Sequence, residues 1–335
     1  VGFIGNINAH KNDMRYINFI LLVFLLLGCN SKISHKNSKS ISDIILEEKD
    51  LVPEGIDYSE KKDAFYLSSV GLSKIVKVDR KTGKEEDFIK ENEFDYSPGA
   101  GILVDDERNL LHAIGGYYAL KDSLSSLYTF DLDTKELLQR YDVATKGQHF
   151  LNDLVKDKKG NIYLTDTKDS AVYMLRNGND SLEMFLESEE IRYPNGIAIS
   201  DDNTKLYVAS APHGVRVIDI STKEILNKKD SLGLTQGIDG LEFYRNHLYA
   251  VQNGVEANLY NFRKLILNEG QDKITGVEVI DSNTKKLDVP LTFCIVDGKA
   301  VVIGNSNLQY LNQENYSFPE ADSIKKTKLV VYRIE

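Results

Sequence analysis

One structural unit recurs six times along the chain. Each copy has a small or polar first residue, usually followed by glycine, then an apolar strand, a turn rich in Asp, Lys and Asn, and a second strand. The first residues of the copies are Glu54, Ala100, Asn152, Asn195, Asp239 and Thr292, spaced by 46, 52, 43, 44 and 53 residues. Repeats of about 40–50 residues with room for four short strands are typical of propeller blades. The sequence therefore predicts an all-β fold, a six-bladed β-propeller.

The rest of the 335-residue chain agrees with this prediction. After residue 42 there is almost no helical periodicity, and short alternating or β-branched runs are separated by turn residues. A β-sandwich of two sheets gives no reason for six repeats. We expect 44–51 to pair with the last strand, within 328–334, and so to close the ring.

The formal net charge of −10 argues against a nucleic-acid partner, which clustered basic residues would indicate.

The N-terminal segment resembles the signal of a bacterial lipoprotein. Met14 and Arg15 precede an apolar stretch, 17–27, that is too short to span a bilayer. The stretch ends in Leu-Leu-Gly-Cys at 26–29, which is similar to a lipobox. In lipoproteins the peptide is cut before this cysteine, and acyl chains on Cys29 would serve as the membrane anchor. The alternative is a buried helix with an incidental cysteine.

These signals divide the chain into four parts. We expect 1–13 to be an upstream extension, 14–28 a signal peptide, 29–42 a lipidated Cys29 with a flexible tether, and 43–335 the propeller domain. The anchor predicts attachment to a membrane of the bacterial cell envelope, with the protein facing the periplasm or the exterior. We also expect a monomer. With Cys29 acylated, Cys294 is alone and is expected to be a free thiol in the core.

The first residues of the six copies should converge near the propeller axis, because equivalent positions of the blades are related by approximate rotation. Four of them carry a side-chain oxygen, namely Glu54, Asn152, Asn195 and Asp239. Such hard oxygen donors favour Ca²⁺, which takes 6–8 of them, and ligand spacings for zinc are absent from the sequence. The sequence predicts one divalent metal, with Ca²⁺ favoured. The alternative is that Asn-Gly and Asp-Gly only mark turns.

The same segments resemble the signatures of the gluconolactonase / regucalcin (senescence marker protein) family. They are Pro-Glu-Gly at 53–55, Leu-Asn-Asp-Leu at 151–154, Pro-Asn-Gly-Ile at 194–197 and Ile-Asp-Gly-Leu at 238–241. They are also similar to segments of the related paraoxonases and diisopropylfluorophosphatase-like hydrolases. The resemblance covers nearly all of 43–335 and implies a six-bladed propeller with one catalytic divalent metal at its axis.

The resemblance also implies roles for individual residues. Glu54, Asn195 and Asp239 match metal ligands, and Asn152 matches an asparagine that is a ligand in some members and a substrate contact in others. Asp239 further matches the aspartate proposed as general base. Gluconolactonase-type members have an arginine where this chain has Phe150, and paraoxonase-type members have a catalytic histidine in the second blade, where this chain has Ala100. Both departures leave the substrate open.

The chemistry that these residues predict is hydrolysis of a small lactone or ester. A calcium ion acts as a Lewis acid on the carbonyl, and Asp239 activates water or attacks directly. No Gly-Xaa-Ser-Xaa-Gly segment occurs, which disfavours a serine hydrolase. The alternative is a non-catalytic propeller whose calcium is structural and which binds a ligand or a partner protein, since propellers host both roles.

Four further polar residues are candidates for substrate contacts. They lie just before inner strands or just after second strands, at positions that alternating strand direction should bring to the same face of the propeller: His149, Asp166, His213 and Asn253. For the two histidines, a solvated loop position is the alternative.

Overall fold

The computed structural model describes residues 32–35, 40–116, 124–143, 147–254, 260–312, 314–319 and 321–334. The predicted signal peptide and Cys29 lie outside these residues. Over the described ranges, no helix combines the length and the apolar character that crossing a membrane requires.

The described residues form six sheets, preceded along the chain by β1 (Lys32–His35) and β2 (Ser42–Ile45). The first sheet holds β3–β6 (Pro53–Ser59, Ala64–Ser69, Ile75–Asp79, Glu85–Ile89), and the second holds β7–β10 (Gly99–Asp105, Leu110–Gly116, Ser125–Asp131, Leu137–Asp142). The third holds β11–β14 (Leu151–Lys156, Ile162–Asp166, Ala171–Leu175, Leu182–Glu187), and the fourth holds β15–β17 (Pro194–Ile199, Lys205–Ser210, Gly214–Asp219). The fifth holds β18–β21 (Ile238–Tyr244, His247–Gln252, Asn261–Leu267, Ile274–Ser282), and the sixth holds β22–β24 (Phe293–Val296, Lys299–Ile303, Lys328–Arg333). Short 3-10 helices lie at Glu93–Asp95, Glu189–Ile191, Leu308–Tyr310 and Ala321–Ser323.

The six sheets are the blades of a closed propeller. Within each blade, consecutive strands pair antiparallel in chain order, and the first strand lies innermost. The inner strands β3, β7, β11, β15, β18 and β22 contact one another in that order, and β22 contacts β3. This closed ring of first strands confirms the predicted six-bladed β-propeller.

The last blade is completed by a strand from the other end of the domain. β2 pairs antiparallel with β24, so that Ile44 lies opposite Leu329, and it forms the outer edge of the sixth blade. The predicted pairing of 44–51 with the last strand is confirmed in part, because the strand covers Ser42–Ile45. The strand β1, which falls within the segment predicted as a tether, runs parallel to β21 on the outer edge of blade five, with Lys32 opposite Gly276. Nothing in the sequence indicates this pairing.

Glycines allow the inner strands to approach closely around the channel. A Cβ atom on Gly55 would lie within 3.0 Å of the carbonyl oxygen of Ala100, the first residue of the next copy. A Cβ atom on Gly196 would likewise lie within 3.0 Å of the carbonyl oxygen of Asp239. Because Asn195 and Gly196 lie inside β15, the alternative that this dipeptide marks a turn is wrong. The glycine of the repeat is required by close backbone approach.

The apolar core lies between neighbouring blades. Between the sixth and the first blade it includes Leu67, Val78, Val301 and Leu329. Cys294 belongs to this cluster, is 3% exposed and has no disulfide partner. Burial raises the pKa of its thiol well above the ordinary value. The prediction that Cys294 is a free core thiol is confirmed.

Candidate metal centre

All four predicted metal ligands line one cavity. Glu54, Asn152, Asn195 and Asp239 are the second residues of the inner strands β3, β11, β15 and β18, and they meet at a cavity of about 660 Å³. Ala100, at the same position of β7, also lines this cavity. The approximate rotation that relates the blades thus brings together side chains that are as far as 185 residues apart in sequence (239 − 54).

Three of these four side chains present a buried oxygen atom that has no hydrogen-bond partner among the described residues. The atoms are Glu54 Oε2, Asn152 Oδ1 and Asn195 Oδ1. A buried acceptor without a donor is costly and uncommon in folded proteins. Three such oxygens around one cavity are best satisfied by a cation, and carboxylate and amide oxygens are the donor set of Ca²⁺. The residues therefore fit the metal that the sequence predicts.

Hydrogen bonds fix the fourth side chain, Asp239. The Asn253 amide nitrogen donates to Asp239 Oδ2 at 2.5 Å and to the Pro290 carbonyl oxygen at 2.7 Å. Burial raises the pKa of Asp239, although side-chain hydrogen bonds from Asn253 and Asn195 oppose the increase. The residue is only 7% exposed, so its carboxylate is held in place and is largely shielded from water.

The electrostatics of the cavity also favour a cation. Burial, followed by the charges of Asp239 and Asp153, raises the pKa of Glu54 well above its ordinary value. The Glu54 carboxylate and the Asp239 carboxylate therefore oppose each other's ionisation. A divalent cation between them would neutralise both charges and remove this repulsion.

Asp166 and His149, two of the predicted substrate contacts, are paired with each other beside the cavity. His149 Nδ1 lies 2.7 Å from Asp166 Oδ2, and Asp166 is fully buried. Asp166 Oδ1 accepts hydrogen bonds from the backbone N–H groups of Phe150 and Lys168. Those two neighbours line the cavity, whereas His149 and Asp166 are not among the described residues that do. Their contact with a substrate stays a prediction.

The other two predicted substrate contacts lie in different places. His213 Nδ1 is 3.2 Å from the carbonyl oxygen of Glu190, and His213 is not among the described residues that line the cavity. Asn253 hydrogen-bonds Asp239 directly, which makes it a residue that positions a predicted ligand. Its contact with a substrate also stays a prediction.

Several residues of the cavity wall were not predicted. Thr167, Lys168, Tyr193, Leu308 and Tyr316 line it together with Phe150. Thr167 and Lys168 directly follow Asp166, the last residue of β12, and Tyr193 precedes Asn195 by two residues, so the repeat itself could have indicated these three. Leu308 and Tyr316 come from the long connection between β23 and β24, which has no counterpart in the repeat.

A smaller cavity of about 150 Å³ lies further along the inner strands and is lined by Asp57, Asp153 and Glu242. Asp57 accepts a hydrogen bond from the backbone N–H of Val104 at 2.6 Å, and Asp153 accepts one from Ile197 at 3.0 Å. Each bond joins one blade to the next. Burial raises the pKa of Asp57 to about 6 and that of Asp153 to about 7. Asp57 and Asp153 therefore connect blades, and their raised pKa values place their ionisation closer to neutral pH than that of ordinary aspartates.

The fold and the site together define a six-bladed propeller with an oxygen-lined cavity at its axis. Residues 52–246 match the SMP-30/gluconolactonase/LRE-like region, and the chain belongs to that family. No curated protein matches the chain in sequence.

Solved structures share the fold. A calcium-binding protein, regucalcin, from Agrobacterium tumefaciens is 12% identical, with 91% of this chain and 97% of that one covered at a TM-score of 0.58. A luciferin-regenerating enzyme is 15% identical, with 87% and 95% covered at 0.59. Virginiamycin B lyase from Staphylococcus aureus is 12% identical, with 78% and 81% covered at 0.57. At these identities the likeness concerns the fold alone.

Proposed function

We propose that this protein is a metal-dependent hydrolase of small lactones or esters, with Ca²⁺ as the metal. The observation that carries the proposal is the group of three unpartnered buried oxygens, from Glu54, Asn152 and Asn195, around the cavity that Asp239 also lines. Membership of a family named after gluconolactonase and the fold shared with a calcium-binding regucalcin support the metal and the reaction class.

The chain's own residues supply the parts that such a reaction needs. Glu54, Asn152, Asn195 and Asp239 would hold the cation. When bound, the cation supplies Lewis-acid polarisation of the substrate carbonyl. Asp239, held by Asn253, acts as the base or the nucleophile.

In the general-base form of the reaction, Asp239 takes a proton from water while the water oxygen bonds to the carbonyl carbon. The carbon–oxygen bond of the lactone or ester then breaks. The proton held by Asp239 passes to the departing alkoxide, so the products are a carboxylic acid and an alcohol, within one molecule when the substrate is a lactone. Asp239 returns to its charged form.

The experiment that tests this proposal is proton release by the purified protein on a panel of sugar lactones, alkyl lactones and aryl esters, with calcium and with a chelator. We expect turnover in calcium and its loss in chelator, restored by adding calcium back. If calorimetry shows that calcium binds and no panel member is turned over, the protein is the non-catalytic propeller with a structural calcium.

We further propose that the mature protein is anchored through acylated Cys29 in the bacterial cell envelope. This proposal is supported by the order of features along 15–29, where a basic residue is followed by an apolar stretch and then by Leu-Leu-Gly-Cys. Cys29→Ser should move the protein from the membrane fraction to the soluble fraction after expression in a bacterium. Cys294→Ser is the matched control, because that thiol is buried in the core. Continued membrane association of Cys29→Ser would contradict the anchor.

A further inference from the structure

Outside the four candidate ligands, most of the described residues that line the main cavity are apolar, and Lys168 is the charged residue among them. Phe150, Leu291 and Leu308 line it, together with the rings of Tyr193 and Tyr316. The hydroxyl of Thr167, which also lies on the wall, is already engaged by Asn152 and by the carbonyl oxygen of Pro194. A sugar lactone would bring several hydroxyl groups against this surface, and each hydroxyl that loses water without gaining a partner weakens binding.

A second aromatic residue of this wall is Tyr193, whose ring also lies 4.9 Å from the Arg192 guanidinium. Its side chain is 46% exposed, and its backbone has φ 48, in the left-handed region that favours glycine. A positive φ recurs at the equivalent position of blade one, at Val52 (φ 45), and of blade five, at Gly237 (φ 61). The repeat therefore sets this backbone conformation, and in blade four it places a partly exposed aromatic ring on the cavity wall.

We propose that the substrate of this cavity is a neutral lactone or ester that carries an alkyl or aryl group, rather than a polyhydroxylated sugar lactone. The inference rests on the proposed hydrolase function. The carbonyl lies at the four oxygen-bearing residues, and the apolar group packs against Phe150, Tyr193 and Leu308. Removing that group and the cavity wall from water provides the binding energy.

The first experiment compares two substrates of the same calcium-loaded protein. We expect kcat/KM for δ-decanolactone to exceed that for glucono-δ-lactone by more than tenfold. An equal or higher value for the sugar lactone would overturn the substrate class and leave the proposed hydrolase intact. Turnover of neither substrate would count against the hydrolase, and the substrate class is then tested by binding alone.

The second experiment measures binding without turnover. The probes are a δ-lactam with a pentyl substituent and a hydroxylated δ-lactam, both of which resist hydrolysis, titrated into the calcium-loaded protein by calorimetry. We expect at least tenfold tighter binding of the pentyl lactam. Equal affinities, or preference for the hydroxylated lactam, would overturn the apolar pocket whatever the kinetics show.

The third experiment removes the strained ring. Tyr193→Gly should leave the melting temperature unchanged or higher, because the backbone strain is relieved, and should weaken binding of the pentyl lactam about tenfold or more. Phe94→Gly is the matched control, because Phe94 is also an exposed aromatic residue (40%) with a positive φ of 57 and is not among the described residues of the cavity wall. Phe150→Ser is a second wall variant with the same expected loss. Unchanged lactam affinity in both wall variants would contradict the proposal.

Discussion

The hydroxyl of Thr167 determines which atom of Asn152 faces the cavity. Thr167 Oγ1 donates its only proton to the carbonyl oxygen of Pro194, 2.7 Å away. It can therefore only accept from Asn152, whose Nδ2 lies 3.0 Å from it. The amide must point its nitrogen at Thr167, and Asn152 Oδ1 is left buried without a partner. Thr167, on the cavity wall, thus orients the Asn152 carbonyl oxygen toward the proposed metal site.

Thr167→Val should weaken calcium binding while largely preserving the fold. Valine has nearly the same shape but cannot accept the amide proton, so Asn152 loses its fixed orientation. We expect the calcium Kd to rise about 10–100-fold, the usual effect of removing a partner that orients a ligand. Calorimetric titration measures it. Thr129→Val is the matched control, because Thr129 is a buried strand threonine whose side chain bonds His112 in blade two. Similar Kd changes in both variants would contradict the positioning role.

Glu54→Gln and Asp239→Asn should separate metal binding from base or nucleophile chemistry. Each variant removes one negative charge from the same cavity, so both should weaken calcium binding. At saturating calcium, Glu54→Gln should recover much of its turnover, whereas Asp239→Asn should stay at least 100-fold below the wild type, because an amide can neither take the proton of water nor attack the carbonyl. Full recovery of Asp239→Asn at high calcium would remove the catalytic role of Asp239.

The thermal stability of the calcium-free protein should fall as pH rises from 6 to 8. The pKa of Asp153 is raised from 3.8 to about 7, so the folded state holds this proton more tightly than the unfolded state does. The stabilisation from this proton is complete below the ordinary Asp pKa and is lost as pH rises through 7. The free energy of unfolding then falls by at most about 1.4 kcal/mol per pH unit for one group. Melting curves in chelator measure it. A stability that rises with pH over this range would contradict the raised pKa.

Calcium should stabilise the protein more at higher pH. The metal needs Glu54 and Asp239 in their charged forms, and both have raised pKa values, so protons compete with calcium as pH falls. At a calcium concentration 100 times Kd, stabilisation should be about 2.7 kcal/mol. At one fixed calcium concentration, the difference between melting temperatures in calcium and in chelator should therefore widen as pH rises from 4 to 8. A difference that does not change with pH would contradict carboxylate ligation.

Gly196→Ala should destabilise the propeller by about 1–3 kcal/mol, the range for overpacking a tight contact. The new methyl group would collide with the backbone of Asp239 in the next blade. It would also displace a candidate ligand, so calcium affinity should fall with stability. Gly270→Ala is the control, since an added Cβ there meets nothing closer than 3.4 Å. Urea unfolding measures both variants, and equal stabilities would contradict the close approach of blades.

The repeat predicted the ring of blades and the convergence of four distant residues because both depend on rotation alone. It explains why Glu54 and Asp239 meet even though no local pattern joins them. Two other features lie in segments that the repeat does not contain. One is the parallel pairing of β1 with blade five, and the other is the connection that brings Leu308 and Tyr316 to the cavity wall.

The sequence indicates least about residues whose role depends on a partner. Asn253 stays a predicted substrate contact, and the sequence does not indicate that its amide donates to Asp239 and to the Pro290 carbonyl oxygen. His149 and Asp166 pair with each other, which the seventeen-residue separation in sequence did not indicate. Hydrogen-bond partners of this kind follow from the packing of loops, and only the folded structure displays them.

We propose that side chains from four blades bind one divalent cation. The most direct measurement is calorimetric titration of calcium into the purified, chelator-treated protein and into the Glu54→Gln/Asn195→Ala double variant. We expect one calcium ion per chain for the wild type and at least a 100-fold higher Kd for the double variant. No calcium binding by the wild type, or equal affinity in the double variant, would contradict this proposal.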